Sequence, residues 1–397
     1  MASSNRRLWF LFHGWLSLPV WLLFSFICLT GTIAVFSHEI TWLANPAARA
    51  GNPDNLPRQP LPALVAAAQQ AVPGAEISRI MVLEPYLVTA VALSAPDTPN
   101  AIAYVNPYTA QVQAVEQGMT FIGFMRSLHG WLLFPWQHSY SIGYYLVGAM
   151  SLVVLGAMIT GLVVYKRFWR AFTRPRLRLD RDARTWLGDL HRLGGVWSLW
   201  FLLVIGLTGF WYLVQAVLWH TGVHVWPEAE PVALNDVPLT DGTPPAMIPL
   251  QQVLAAAQAQ LPQLEPALVS MPEHNRDYFS VLGSGDAILF DRYSFRVYIN
   301  PWTGAVAQSH TPADMNLLQT FTHIADPLHY GTIGGLWTKT IWFLFGLMLS
   351  GMSISGFLIY GKRTVKGVRA GRTKARKPVV AAPGTLPDKS PGQLEGA

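Results

Sequence analysis

Four long apolar runs, at 8–36, 141–165, 186–218 and 337–360, dominate the pattern of this 397-residue chain. Each is long enough to cross about 30 Å of hydrocarbon as a helix. Between the first and second runs, and again between the third and fourth, the pattern becomes polar with short alternating segments. The first such stretch opens on an Ala-rich helical pattern at 61–72, bounded by Pro60, Pro62 and Pro73. Strand-like runs follow at 77–82, 86–93, 101–105 and 111–115, with a turn at Asn106 and Pro107 before the last. The second stretch repeats this order, with a helix over 250–260, strands over 279–282 and 294–299, and a turn over 300–304.

The pattern predicts an α-helical membrane protein with four transmembrane helices and two small α+β modules. The expected divisions are a first span over 1–38, a module over 39–125, an outer segment with the second span over 126–166, and a basic loop over 167–185. A third span over 186–219, a second module over 220–322, an outer segment with the fourth span over 323–361, and a basic tail over 362–397 complete it. The first run exceeds the ~7–15 apolar residues of a signal peptide, so it is expected to be retained. The end of the tail, 378–397, is rich in Pro, Gly and Ala and is expected to be disordered.

The chain also repeats its words. Thr30–Gly31 recurs as Thr208–Gly209, Tyr-Val-Asn-Pro at 104–107 as Tyr-Ile-Asn-Pro at 298–301, and Ile-Thr-Gly at 159–161 as Ile-Ser-Gly at 354–356. Two copies of one unit about a pseudo-twofold axis are the expectation.

Only 13% of residues are charged, about half the usual share of a soluble domain. The net charge of +6 would suggest nucleic acid, but its distribution argues otherwise. Arg6 and Arg7 precede the first run, a basic stretch from Lys166 to Arg184 joins the second to the third, and another from Lys362 to Lys377 follows the fourth. By the positive-inside rule both termini and the middle loop are cytoplasmic and both modules external, so no nucleic acid partner is expected and the lipid bilayer is. No glycine-rich phosphate loop is present. The single cysteine, Cys28, lies within a span, which excludes an internal disulfide, a Cys-rich cluster and thioether haem attachment.

Histidines remain as candidate ligands. Of the eleven, His13 and His191 head the first and third runs, and His129 and His329 precede the second and fourth, matched between the halves. Ionisable groups near the membrane interior tend to mark sites, and facing imidazoles from two halves present two nitrogens from opposite sides, the axial geometry of a b-type haem. Topology places His13 with His191 towards the cytoplasm and His129 with His329 towards the outside, hence two haems b. His38, His138, His220, His224 and His323 lie near the outer interface without counterparts, while His274 and His310 lie in the second module. Ordinary hydrogen-bonded roles are expected for these, although His220 and His224, four apart, would share one helix face. A continuous helix from His129 to Lys166 would be ~55 Å long, so the 128–139 segment, with Pro135, is expected to fold inward. Gly331, Gly334 and Gly335 are expected to do the same in the second half.

Leu-Phe-His-Gly-Trp at 11–15, Leu-His-Arg-Leu at 190–193, Leu-His-Gly-Trp at 128–131, Leu-His-Tyr-Gly at 328–331 and the two Tyr-x-Asn-Pro turns carry a family resemblance. From Arg7 to Arg363 the chain resembles the PepSY-associated transmembrane family, whose members include inner-membrane siderophore-iron reductases of the ferrioxamine reductase type. The resemblance implies a bacterial inner-membrane oxidoreductase with periplasmic modules. It would pass electrons from the cytoplasmic side through haems held by His13, His191, His129 and His329 to a periplasmic ferric siderophore, the hydroxamate type foremost. Arg192 follows His191 as in the family's usual wording, and Arg126, one turn before His129, can substitute elsewhere, so both are expected propionate partners. The electron donor would be quinol or a cytoplasmic flavin or flavoprotein. Two other readings stand beside this one: a membrane-anchored sensor or peptidase regulator without enzymatic activity, and a siderophore permease.

Overall fold

The four apolar runs form helices long and apolar enough to cross a membrane: Arg7–Ala34, Ile142–Val164, Leu199–His220 and Gly335–Gly361. The computed structural model describes residues 3–137, 141–165, 167–226, 229–233, 237–238 and 245–375; His138, Lys166 and the 378–397 tail lie outside these. The first span is broken in two. Helix α1 (Ser3–Ser17) ends in a 3-10 turn over Leu18–Val20, where Pro19 lacks a donor, and α2 (Trp21–Ala34) continues. A short α3 (Ser37–Ala44) then leads to the first module.

The extramembrane stretches build one sheet. In the first, α4 (Leu61–Ala71) precedes β1 (Glu76–Val82), β2 (Thr89–Ala95), β3 (Thr98–Val105) and β4 (Val112–Gln117). In the second, α10 (Leu250–Gln260) precedes β5 (Glu265–Ser270), β6 (Phe279–Ser284), β7 (Phe295–Ile299) and β8 (Val306–His310). The two modules expected from sequence are therefore halves of a single eight-stranded sheet, ordered β4-β3-β2-β1-β5-β6-β7-β8. The join is the antiparallel pairing of β1 with β5, in which Ile80 opposes Val269 and both are fully buried. Helices α4 and α10 cover one face, and Leu64, Ala68, Val253 and Ala257 interlock with Val91, Val105, Val281 and Val297 in a shared core.

Between sheet and bundle, each half inserts a short helix that runs back towards the spans. Helix α5 (Phe121–Trp131) is capped by the Thr120 hydroxyl, which accepts from Gly123 N–H at 3.0 Å. It stops where Leu132 and Leu133 take left-handed conformations, before α6 (Ile142–Val164) begins. In the second half, α7 (Phe168–Thr173) and α8 (Ala183–Trp197) precede α9 (Leu199–His220), so the third run is divided at Ser198. Helix α11 (Leu317–Tyr330) ends at Gly331, whose φ of 71° is the left-handed cap that glycine adopts without strain, and α12 (Gly335–Ala375) follows. Both reversals fall where the sequence placed them.

Pro327 sits inside α11 and cannot bond the carbonyl of His323. The Asp291 N–H fills that gap at 2.8 Å, while the Asp291 carboxylate takes His323 Nδ1 at 2.7 Å. The β6–β7 connection is thereby pinned to α11. In the first half His38 of α3 meets Glu84 at 2.9 Å, Arg292 reaches the same carboxylate at 3.3 Å, and Lys339 of α12 pairs with Glu39 at 2.8 Å. This network ties both modules to the bundle. Burial alone would push the Glu84 carboxyl up, but the His38 hydrogen bond and the charges of His38, Arg292 and Lys339 outweigh it and hold the carboxyl at about 2. A depressed carboxylate contributes stability that is fully present above its unfolded value near 4.5 and disappears as pH falls towards 2. The melting temperature is accordingly expected to fall across that window, by the equivalent of about 2–3 kcal/mol, and Glu84→Gln to flatten that part of the profile.

Candidate site: two facing histidine pairs

The four symmetric histidines lie on α1, α5, α8 and α11, and the packing of these helices against the spans brings them together two by two. His13 faces His191 with ring centroids 6.1 Å apart, and His129 faces His329 at 6.2 Å. Each pair takes one ring from each half. All four rings are half-buried. The His13 pair lies at the end of the bundle away from the sheet, and the His129 pair at the end next to it. Seventeen residues separate His13 from Thr30 and His191 from Thr208, so the two sites stand roughly 25 Å apart along the first and third spans.

Every one of these imidazoles has its Nδ1 bound by the span behind it. His13 Nδ1 meets Thr160 Oγ1 at 2.9 Å, and His329 Nδ1 meets Thr208 Oγ1 at 2.8 Å. His191 Nδ1 meets both the Met352 carbonyl and Ser355 Oγ at 3.1 Å, and His129 Nδ1 meets Thr30 Oγ1 at 3.4 Å. The direction of these bonds follows from the hydroxyl hydrogens. Thr160 donates to the Gly156 carbonyl, Thr208 to Val204, Thr30 to Ile27 and Ser355 to Met352. The Met352 carbonyl can only accept, so His191 donates from Nδ1; with the threonine hydrogens committed to their own helix carbonyls, the same sense at the other three rings leaves each Nε2 with its lone pair. This is the outer support that metal-ligating histidines use. Thr208→Val is expected to loosen whatever His329 holds by about 10–100-fold, with Thr208→Ser restoring it; dissociation into an excess of a haem-scavenging apoprotein would measure this.

The words repeated in sequence thus include the acceptors: Thr30 and Thr208 at one end, Thr160 and Ser355 at the other. Three of their glycine neighbours, Gly31, Gly161 and Gly356, face the rings, while Gly209 faces Ser151. A Cβ on Gly31 would lie 2.6 Å from His129 Cε1, and one on Gly356 would lie 3.3 Å from His191 Cε1. Beyond that repetition, nothing in the sequence distinguishes these hydroxyls from the many Ser and Thr that back-bond within apolar helices. The partnership of Tyr212 with Asp326, at 2.7 Å and one turn before His329, is also invisible there.

An iron held axially by two imidazoles stands about 2 Å from each nitrogen, with about 1.1 Å more to each ring centre, so the centroids should be roughly 6 Å apart. Both pairs meet that spacing. Among the described residues no three His, Cys, Asp or Glu side chains gather as a metal-ion site, so each pair offers two donors only. A flat macrocycle that brings its own four nitrogens suits such a set; a bare ion does not.

The remaining histidines are placed elsewhere. His38 and His323 serve the sheet–bundle junction, His310 packs beside Trp226, and His274 accepts from Arg276 N–H. His220 and His224 do not share a helix face, because α9 ends at His220 and the chain turns at Gly222. Of the two arginines expected near propionates, Arg126 is exposed on α5, whereas Arg192 is ion-paired with the fully buried Asp189. Arg178 makes a bidentate contact with the same carboxylate, at 2.9 and 2.8 Å.

Fold and site together define a multi-pass membrane protein whose two halves meet in a common antiparallel sheet and in two histidine pairs. The chain belongs to the PepSY-associated transmembrane family: the family model described as PepSY-associated TM region matches residues 10–363. No curated protein matches the chain.

Proposed function

We propose that the protein is a di-haem b electron carrier of the bacterial inner membrane that reduces ferric siderophores on the sheet side. The observation that supports this most is the pair geometry: imidazoles from opposite halves with ring centroids 6.1 and 6.2 Å apart, each with its Nδ1 engaged by the neighbouring span. A haem b at each pair supplies reversible one-electron chemistry that no side chain provides. His13 and His191 hold the group at the end flanked by the basic segments, which the positive-inside rule makes cytoplasmic, and His129 and His329 hold the other at the periplasmic end. Arg126, exposed one turn from His129, is positioned to meet a propionate or an anionic chelate. Aromatic side chains pack together between the sites, with Trp200, Phe201, Trp342 and Phe345 in edge-on contact.

The substrate class is the one the family resemblance implies, and its chemistry suits a one-electron donor. A solvent-facing one-electron donor needs an acceptor that gains from a single electron, and Fe(III) in a hard oxygen chelate of the hydroxamate type does. As Fe(II) it is softer and less tightly held by those oxygens, and it is released. Purified protein is expected to be red, with two haems b per chain by pyridine haemochrome and a Soret band that shifts on dithionite and returns on adding a ferric hydroxamate. A folded, colourless preparation would overturn this reading in favour of an anchored sensor.

A further inference from the structure

Resting on that reading, we infer that a lipid-facing groove behind His191 is the binding site of a membrane quinol, the donor of the electrons. The groove has a volume of about 400 Å³ and lies between α8 and α12, with Leu190, Leu193 and Trp197 on one wall and Met348 and Gly351 on the other. Pro175, in the segment after α7, closes one end. Its inner wall contains Met352 and Ser355, the residues whose carbonyl and hydroxyl hold His191 Nδ1 at 3.1 Å. An occupant would therefore stand one hydrogen-bonded layer from the imidazole.

The groove exists because one half lacks a filling that the other has. Three residues after its histidine, the first half carries Leu16, and four residues before its hydroxyl it carries Gly156. The Leu16 methyls fill the space over Gly156, at 3.1 and 3.4 Å from a Cβ built there. At the same offsets the second half has Gly194 and Gly351. A Cβ on Gly194 would meet the flexible Met352 and Met348 side chains at 3.1 and 3.4 Å, whereas one on Gly351 meets nothing within 4 Å. The space that Leu16 fills over Gly156 in the first half is thus open over Gly351 in the second.

The chemistry of the walls selects the occupant. Apart from Ser355 the lining is apolar, with the adaptable thioethers that irregular ligands favour, and the exposed Arg174 and Arg176 that flank Pro175 are not part of it. Leu190, Trp197 and Gly351 are exposed, the last within a membrane span, so entry is from lipid. A quinol is apolar, lives in the bilayer and carries electrons. One quinol oxidised to quinone gives two electrons, taken singly at the His13–His191 site to reduce two ferric ions in turn, and its two protons leave to water at the mouth beside the basic loop.

The test uses a photoreactive azido-benzoquinone with a decyl tail on the full chain in phosphatidylethanolamine–phosphatidylglycerol nanodiscs. Labelling is expected on the peptides holding Leu190–Trp197 and Met348–Met352, and excess decyl-benzoquinone should suppress it. Gly351→Phe, built into open space, should abolish labelling and slow decyl-quinol reduction of the Soret band by at least about tenfold, while the band and its response to dithionite persist. Leu190→Trp, blocking from the opposite wall, should act likewise. Labelling elsewhere, suppression by oleic acid as effective as by the quinone, or unimpaired quinol reduction in both variants would overturn the inference. A colourless protein would instead overturn the haem reading itself.

Discussion

Replacing either histidine of one pair with alanine is expected to remove about half of the bound haem and leave the other half spectroscopically intact. His129→Ala and His329→Ala should lose the site beside the sheet, and His13→Ala and His191→Ala the distal one. The selectivity follows from the distance between the sites, roughly 25 Å along the spans, and from the separate sets of hydroxyls that support them. Loss of colour alone could reflect general unfolding, so a second substitution separates ligation from packing. His329→Met keeps a donor able to bind haem iron but exchanges nitrogen for sulfur, which raises the reduction potential. Retained haem with an upshifted potential on one of two waves in a redox titration is the signature of a ligand. If all four alanine variants kept full haem content, these imidazoles would not be ligands.

The transmembrane frame is legible because lipid imposes length and apolarity residue by residue, so runs such as 141–165 identify themselves without a partner. The four histidines are legible because they recur at matched places in two halves. What the linear pattern does not show is who meets whom. The β1–β5 join pairs Ile80 with Val269 across a gap that includes two whole spans, and alternation along a strand specifies a face but never a neighbour. Strands β5 and β8 escape notice because Pro266 interrupts one and the other is only Val-Ala-Gln-Ser-His. The hydroxyl acceptors stand out in sequence as repeat words alone, since Thr160 or Thr208 satisfying its own helix carbonyl looks the same whether or not a ring waits on its other lone pair. The division of the third run at Ser198 is hidden by unbroken hydrophobicity.

A single methyl group on Gly31 is expected to empty the site beside the sheet nearly as fully as removing His129. A Cβ there would lie 2.6 Å from His129 Cε1, 3.0 Å from Nε2 and 3.1 Å from Nδ1. Three ring atoms so nearly equidistant mean that the imidazole lies face-on over the glycine. No rotation about its own axis relieves the clash; the ring must lift away, and its Nδ1 bond to Thr30, already 3.4 Å, is the first to break. Overpacking of this kind costs about 1–3 kcal/mol where neighbours can shift, and here the neighbour that must shift is the ligand. The same substitution grades down around the molecule. A Cβ on Gly356 comes within 3.3 Å of His191 Cε1, and one on Gly161 within 3.5 Å of His13 Cε1, an ordinary contact. Haem content per chain should therefore fall most in Gly31→Ala, less in Gly356→Ala and least in Gly161→Ala, with the loss in the first confined to the sheet-side spectrum. Full haem content and an unshifted potential in Gly31→Ala would mean that His129 does not rest against the first span, and the sheet-side pair would have to be abandoned as a site.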